Sequence, residues 1–175
     1  MLLRGINLGP RNRIAMPALR ETLEAEGLRD VQTYVQSGNV LLSSDDSPDG
    51  LARRVGGLIS DSFGLDIAVV VRTRDELAEV VARNPLGDVA VNPKRYQVTF
   101  LEQELDAATL DKLEALALPD ERFVAIDREL YAWHPEGVAR SKLWPALAKH
   151  KSATARNWAT VTTLLTLADQ AGGKR

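Results

Sequence analysis

The chain opens with a loop whose side chains are suited to binding an anion. Residues 4–14 read RGINLGPRNRI and contain three arginines, Arg4, Arg11 and Arg13, together with two glycines. Arginine donates paired hydrogen bonds to phosphate or carboxylate, and glycine lets the backbone approach a ligand or turn with positive φ. The stretch is not a P-loop, because no Gly-Lys-Ser/Thr sequence follows, and a solvated basic turn is the alternative interpretation. The candidate ligand-binding residues of this loop are Arg4, Gly5, Asn7 and Gly9.

A second polar group lies in a short segment between two predicted strands. Ser37 and Asn39 flank a glycine, which is typical of a hairpin turn. The alternative is that the hydroxyl and amide groups of this turn face the first loop and share a site with it. In a split β-α-β arrangement we expect the loop after the first strand and this turn to lie at opposite ends of the sheet. That expectation argues against a shared site.

Cationic and polar side chains recur near the end of the chain. Lys142 follows a serine, Lys149 and Lys151 come next, and Arg156 and Asn157 are expected in the first turn of the last helix. A cation there opposes the helix dipole and costs roughly 0.3 to 1 kcal/mol when exposed. A bound anion would offset that cost, and so would a buried carboxylate. The candidate site residues are therefore Lys142, Arg156 and Asn157, with a structural role as the alternative.

The residue types and their spacing do not indicate a metal or cofactor site. His134 and His150 are too far apart to suggest a metal-binding motif, and the sequence has no HExxH pattern. The absence of cysteine excludes disulfides, Cys-ligated metal centres and a Cys nucleophile. We therefore predict neither a metal nor a cofactor.

Composition places the chain among globular proteins and limits its partners. It has 175 residues, of which 45% are hydrophobic and 26% charged, and its net charge is −2. A uniformly basic nucleic-acid binder is excluded, so a polyanion would have to bind a local patch. No apolar run approaches the roughly 20 residues of a membrane helix, and the start lacks the order of a signal peptide. We predict a cytoplasmic protein without a membrane partner.

Capping residues and the helical spacing of apolar residues predict the helices. Ser47 is a predicted N-cap, Thr73 and Glu76 form a capping-box pattern, and Gly27 and Gly64 are predicted helix ends. The predicted helices are 16–27, 47–64, 73–84, one through 110–113, 141–150 and 157–168.

Alternation and short apolar runs predict the strands. Val31, Thr33 and Val35 alternate with polar residues, which puts them on one face of a strand. Residues 67–72 form a continuous apolar run, which is typical of a buried strand. The predicted strands are 1–4, 31–36, 40–43, 67–72, 96–101, 122–127, 130–134 and a brief one at 152–155.

The order of these elements repeats along the chain. Residues 1–83 give strand, helix, strand, strand, helix, strand, helix, whose first six elements are those of the ferredoxin-like split β-α-β arrangement. Residues 95–170 fit the same order, and Thr73 then aligns with Thr154, each at a predicted N-cap. We predict an α+β fold, a tandem duplication of two ferredoxin-like units with a C-terminal helix packed on the core. The predicted divisions are a first unit at 1–83, a linker at 84–94 and a second unit at 95–175.

Four of these stretches together resemble a bacterial family, domain of unknown function 1697. Its members show an opening LLRGIN-x-G, a YxQSGNV segment, and later SKL and T-x-RNW-x-TV. The resemblance spans nearly the whole chain, implies the same tandem α+β fold and brings no established activity. The matching segments here are LLRGINLG at 2–9, YVQSGNV at 34–40, SKL at 141–143 and TARNWATV at 154–161.

The signature residues contain no Asp, Glu, His or Cys, although a hydrolase or metal enzyme needs at least one acid, base or thiolate. Cations, amides and hydroxyls instead suit the binding of an anion. The leading hypothesis is a protein that binds a phosphate-bearing ligand, either a nucleotide or a nucleic acid. We predict that Arg4, Lys142 and Arg156 converge on one anion site between the halves. One alternative is an enzyme that acts on an anionic small molecule, with these three residues holding the anion. The other is a structural or partner-binding module, and the oligomeric state stays open.

Overall fold

A computed structural model describes residues 1–150 and 152–172 of the chain, which divides into two compact units. Among the described residues, unit 1 comprises Met1–Glu76 and 164–172, and unit 2 comprises Leu77–Thr163. Both boundaries fall inside helices. The predicted linker at 84–94 belongs to unit 2, and the predicted divisions stay a prediction.

The elements of unit 1 are β1 Leu2–Leu3, α1 Met16–Ala25, β2 Arg29–Tyr34, β3 Asn39–Ser43, α2 Pro48–Phe63, β4 Val69–Val70 and the first residues of α3, which spans Arg74–Arg83. The strands form one sheet in the order β2-β3-β1-β4, in which every pair of neighbouring strands is antiparallel. The buried core includes Leu19 and Leu23 from α1 and Val55 and Ile59 from α2.

The elements of unit 2 include β5 Tyr96–Phe100, α4 Ala107–Leu116, β6 Arg122–Ile126, β7 Glu129–Trp133, a 3-10 turn Val138–Arg140, α5 Leu143–Leu147, β8 Thr154–Asn157 and the first residues of α6, which spans Trp158–Gly172. The strands form a second four-stranded antiparallel sheet in the order β6-β7-β5-β8. Strand for strand, this is the order of the first sheet. The predicted α+β class with a C-terminal helix is thus confirmed.

The predicted helix ends of the first half are confirmed by their hydrogen bonds. The Ser47 hydroxyl accepts the Gly50 N–H at 3.2 Å. Thr73 and Glu76 form a reciprocal capping box, with backbone-to-side-chain distances of 2.7 and 3.1 Å. Gly64 ends α2 in the left-handed conformation, with φ 66°. None of the helices in the described part of the chain combines the length and hydropathy that crossing a bilayer requires.

The predicted start of the last helix is wrong. Arg156 and Asn157 lie in β8, where Arg156 pairs with Val98 of β5. Pairing with β5 gives the backbone of this segment ladder hydrogen bonds, and the helix starts only at Trp158. Thr154 is therefore not the N-cap; the Asn157 side chain accepts the Thr160 N–H at 2.8 Å instead. The expected cost from the helix dipole at Arg156 does not arise.

Val35 also departs from its predicted place. Strand β2 ends at Tyr34, which faces Asn39 across the sheet, so residues 35–38 form the turn. Val35 has φ 51° and leaves 53% of its surface exposed. Alternation predicted a strand that continues through residue 36, whereas the turn already begins at residue 35.

Candidate functional site

The opening loop and the β2–β3 turn lie at the same end of the first sheet. Strand β1 runs antiparallel to β3, with Leu2 opposite Asn39, so the end of β1 meets the start of β3. The Asn7 side chain donates a hydrogen bond to the Gln36 carbonyl at 2.8 Å. The expectation that loop and turn lie at opposite ends is wrong, because the strand after the turn is the direct antiparallel neighbour of β1.

Asn7 holds the opening loop closed. Its side-chain nitrogen also donates to the Ile14 carbonyl at 2.9 Å, and its side-chain oxygen accepts the Ile14 N–H at 3.1 Å. The Asn7 N–H donates to the Asn12 carbonyl at 3.0 Å, and both asparagines have positive φ. Asn7 thus uses its amide group to position the loop.

The glycines at this end of the sheet differ in why glycine is needed at each position. Gly38 has φ 75°, and a Cβ there would lie 2.7 Å from the Leu3 Cβ and 2.8 Å from the Ile6 Cδ1. Gly5 has φ 64° and open space around it, whereas Gly9 has neither a positive φ nor an atom within 4 Å of its ideal Cβ. Close packing therefore requires glycine at position 38, and backbone conformation favours it at position 5.

Asn39 fixes the turn from beneath the surface. It is fully buried, and its side-chain nitrogen donates to the Tyr34 carbonyl at 3.1 Å and to the Ser37 hydroxyl at 3.0 Å. These bonds join both arms of the turn. Asn39 is consequently a positioning residue for Ser37, which is half-buried.

The cations of the loop differ in exposure. Arg11 and Arg13 are exposed, whereas Arg4 is half-buried. The Arg13 Nε donates to the Gly9 carbonyl at 3.1 Å, which ties this side chain to its own loop. The loop leads into α1, whose N-cap Ala15 provides no side-chain cap and whose first turn has no acid. The two arginines therefore come directly before the positive end of the α1 dipole along the chain.

Two exposed apolar side chains, neither of them a predicted site residue, lie in the opening loop and in the β2–β3 turn. Leu8 is 79% exposed and follows Asn7; Val35 is 53% exposed and precedes Gln36. The hydrogen bond between Asn7 and Gln36 joins the loop segment that contains Leu8 to the turn that contains Val35. We call Leu8, Arg11, Arg13 and Val35 the loop–turn surface. A leucine inside a glycine- and asparagine-rich loop, outside any periodic pattern, was the available signal for Leu8.

The predicted site residues of unit 2 have mixed surroundings. Lys142 is exposed just before α5. Arg156 is only 8% exposed and donates to the Thr154 hydroxyl and the Ala155 carbonyl, each at 2.8 Å. Burial lowers the pKa of Arg156 to about 10. Lys151 lies outside the described residues, and the convergence of Arg4, Lys142 and Arg156 stays a prediction.

A buried acid–base pair in unit 2 was also missed. The His134 Nδ1 lies 2.7 Å from the Glu121 Oε1, and each side chain is 2% exposed. Burial raises the pKa of Glu121, but hydrogen bonds from the Leu118 N–H, His134 and Ser141 outweigh it and hold the pKa below its ordinary value. The hairpin register could have predicted the pair, since Arg122 faces Trp133 and the next residues outward are Glu121 and His134.

Unit 2 contains a cavity of about 450 Å³ with acidic walls. Asp106 caps α4 and accepts the Thr109 N–H at 2.7 Å, and its bonds to Thr109 lower the pKa of Asp106. Carboxylates repel phosphate, so this cavity does not fit the predicted ligand. Within the described part of the chain, no three acids or histidines are grouped to hold a metal ion. The lining residues are Leu101, Glu102, Gln103, Glu104, Leu105, Asp106, Thr109, His150 and Ser152.

With its two four-stranded antiparallel sheets, this is an α+β protein, and its first loop carries the sequence RGIN. The chain belongs to the family described as protein of unknown function DUF1697, whose profile matches residues 1–131. That match includes LLRGINLG and YVQSGNV and ends before SKL.

One solved structure supports the fold. It is described as a conserved bacterial protein from Streptococcus pneumoniae, with 22% sequence identity and a TM-score of 0.73. The similarity covers 95% of this chain and 96% of that one, and at this identity it shows a shared fold alone. A comparison with curated proteins gives no match.

Proposed function

We propose that the loop–turn surface of unit 1 binds a phosphate-bearing ligand. The observation that carries the proposal is the pair of exposed arginines, Arg11 and Arg13, on a loop that Asn7 holds closed. A loop fixed before binding loses less conformational entropy when the ligand arrives. The uncapped start of α1, directly after the loop, adds a favourable dipole for an anion.

The other candidate residues of unit 1 support this surface from behind. Asn7 and Asn39 use their side-chain amides on backbone carbonyls, and Gly5 supplies the backbone conformation after β1. We therefore assign ligand contact to Arg11 and Arg13 and positioning to the two asparagines. Arg4 and Gly9 belong to the same loop and complete the proposed site.

Binding is favoured over catalysis because of the chemistry of these residues. Arginine, leucine and valine hold a ligand but do not exchange protons near neutral pH. The acid–base pair of unit 2, Glu121 and His134, is enclosed, with each side chain 2% exposed. A substrate would not reach it without opening the unit.

We also propose that the two sheets are tandem ferredoxin-like repeats. The support is the identical strand order, β2-β3-β1-β4 and β6-β7-β5-β8, with antiparallel neighbours throughout. An experimental structure in which β1–β4 do not superpose in order on β5–β8 would contradict the duplication.

The binding proposal is tested by thermal unfolding of the whole chain with inorganic phosphate, pyrophosphate and triphosphate. We expect triphosphate to raise the melting temperature, since a ligand at 100 times its Kd stabilises by about 2.7 kcal/mol. The double variant Arg11→Ala, Arg13→Ala should lose this rise.

The control removes the same charge elsewhere in unit 1. Arg20 and Arg53 are exposed on α1 and α2, and the variant Arg20→Ala, Arg53→Ala should keep the rise. An equal loss in both double variants would indicate charge attraction without a site. No rise in the wild type with any of the three anions would favour the structural alternative.

A further inference from the structure

Leu8 and Val35 belong to the loop–turn surface, but contact with phosphate is assigned to Arg11 and Arg13 alone. They are two of the large apolar residues that the described chain leaves exposed, and both lie at the loop–turn end of the first sheet. A phosphate group gains nothing from leucine or valine. Apolar and cationic side chains exposed on the same loop and turn are instead complementary to a ligand with a negative group and an apolar face.

The backbone conformation of Val35 is a second observation that favours a role in ligand recognition. Its φ of 51° is a left-handed conformation, which is an unfavourable outlier for a β-branched residue. Asparagine or glycine would adopt this conformation more readily. With 53% of its surface exposed, Val35 recovers little of that cost by burial. Strained residues of this kind are found where a side chain serves recognition.

We infer that the phosphate-bearing ligand is a nucleotide, whose base lies against Leu8 and Val35 while its phosphates contact Arg11 and Arg13. The inference rests on the proposed function and adds the chemical class of the ligand. Apolar side chains pack on the faces of nucleobases, and a base is the flat group that nucleotides carry beside their phosphates. The nucleotide can be free or part of a single-stranded nucleic acid, and the experiment separates these sources.

The test is isothermal titration of the whole chain with ATP, inorganic triphosphate and a ten-residue oligothymidine at one ionic strength. We expect ATP to bind at least about tenfold more tightly than triphosphate, equivalent to 1.4 kcal/mol. Tighter binding of the oligonucleotide than of ATP would assign the nucleotide to nucleic acid, and the reverse would assign it to the free form.

Variants separate the base from the phosphates. Val35→Asn should bring the affinity for ATP down toward that for triphosphate while leaving triphosphate binding unchanged. It should also keep or raise the melting temperature, because asparagine suits the left-handed conformation. Arg11→Ala should weaken both ligands. The matched control is Val91→Asn in unit 2, where valine is 84% exposed, and it should change neither affinity.

The outcomes distinguish this inference from the proposed function. Equal affinities for ATP and triphosphate in the wild type would contradict the inference that the ligand is a nucleotide, but would leave the proposed phosphate site standing. ATP binding that survives both Val35→Asn and Leu8→Ser would also overturn it. Binding of none of the three ligands would overturn both.

Discussion

Asn7 makes a large share of the hydrogen bonds that shape the opening loop. One amide group reaches two carbonyls and one N–H, and it joins the loop to the β2–β3 turn. Asn39 does the same for the turn itself. At the scale of single residues, the asparagines of the family signatures thus build the surface, and the arginines between them are available to a ligand.

We predict that Asn7→Ala destabilises unit 1 by about 1 to 3 kcal/mol, since it leaves backbone groups without their partner. Alanine also adopts the φ of 56° less readily than asparagine does. Urea unfolding measures the change. The control is Asn12→Ala, an exposed position with a similar φ of 53°. Equal losses in the two variants would mean that backbone conformation, and not the side-chain bonds, explains the effect.

The buried carboxylate of Glu121 predicts a pH dependence of stability. Its pKa lies below the ordinary value of 4.5 because three donors hold the charged form. The stability it contributes is therefore present above about pH 4.5 and lost as the pH falls through the lowered pKa. Glu121→Gln should flatten the loss of stability below pH 4.5 and cost about 1 to 3 kcal/mol at pH 7.

Urea unfolding at several pH values checks this prediction. Glu114→Gln, at an exposed position on α4, is the matched control and should keep the wild-type pH profile. An unchanged acid profile in Glu121→Gln would show that other groups govern acid unfolding.

At the scale of elements, local signals located most helices and strands, and tertiary pairing moved their ends. The capping box of Thr73 and Glu76 is local and was predicted from the sequence. The start of α6 was not, because β8 exists only through its pairing with β5. The prediction of Val35 as a strand residue is wrong for a related reason. The pairing of Tyr34 with Asn39 decides where the turn begins, and an alternating pattern does not specify which residues of two strands pair.

The start of α6 is fixed to unit 2 by an aromatic contact. Trp158 stacks on the buried Tyr96 with ring centroids 4.9 Å apart. Since Trp158 is half-buried, we expect Trp158→Ala to cost about 2 to 4 kcal/mol, which is less than the full burial value. Guanidinium unfolding measures it, with the exposed Gln170→Ala on the same helix as the control. A cost no larger than that of the control would remove the anchoring role.

At the scale of the whole molecule, the net charge of −2 gives no general attraction for anions. Any phosphate binding must come from a local surface, and it should weaken with salt because the arginines are exposed. The α+β class followed from the order of periodic segments. The boundaries of the compact units lie inside α3 and α6 and depend on which residues pack together, which linker composition does not report.

The location of the site was only partly predictable for the same reason. The arginine-rich loop was recognised from residue types, but its meeting with the turn depends on the antiparallel pairing of β1 with β3. The exposure of Leu8 had a weak sequence signal, its place in a glycine- and asparagine-rich loop, and the exposure of Val35 had none. The residue types indicated an anion-binding loop, and the pairing of the strands showed which groups lie at the same end of the sheet.

The central claim is that phosphate binds at the loop–turn surface, and amide chemical-shift mapping tests it most directly. The measurement is a titration of the isotope-labelled whole chain with inorganic triphosphate. We predict saturable shifts concentrated in residues 5–16 and 35–38, with the acidic cavity residues 101–106 unchanged. Shifts centred on Lys142 and Arg156, or spread evenly over exposed lysines and arginines, would contradict the claim.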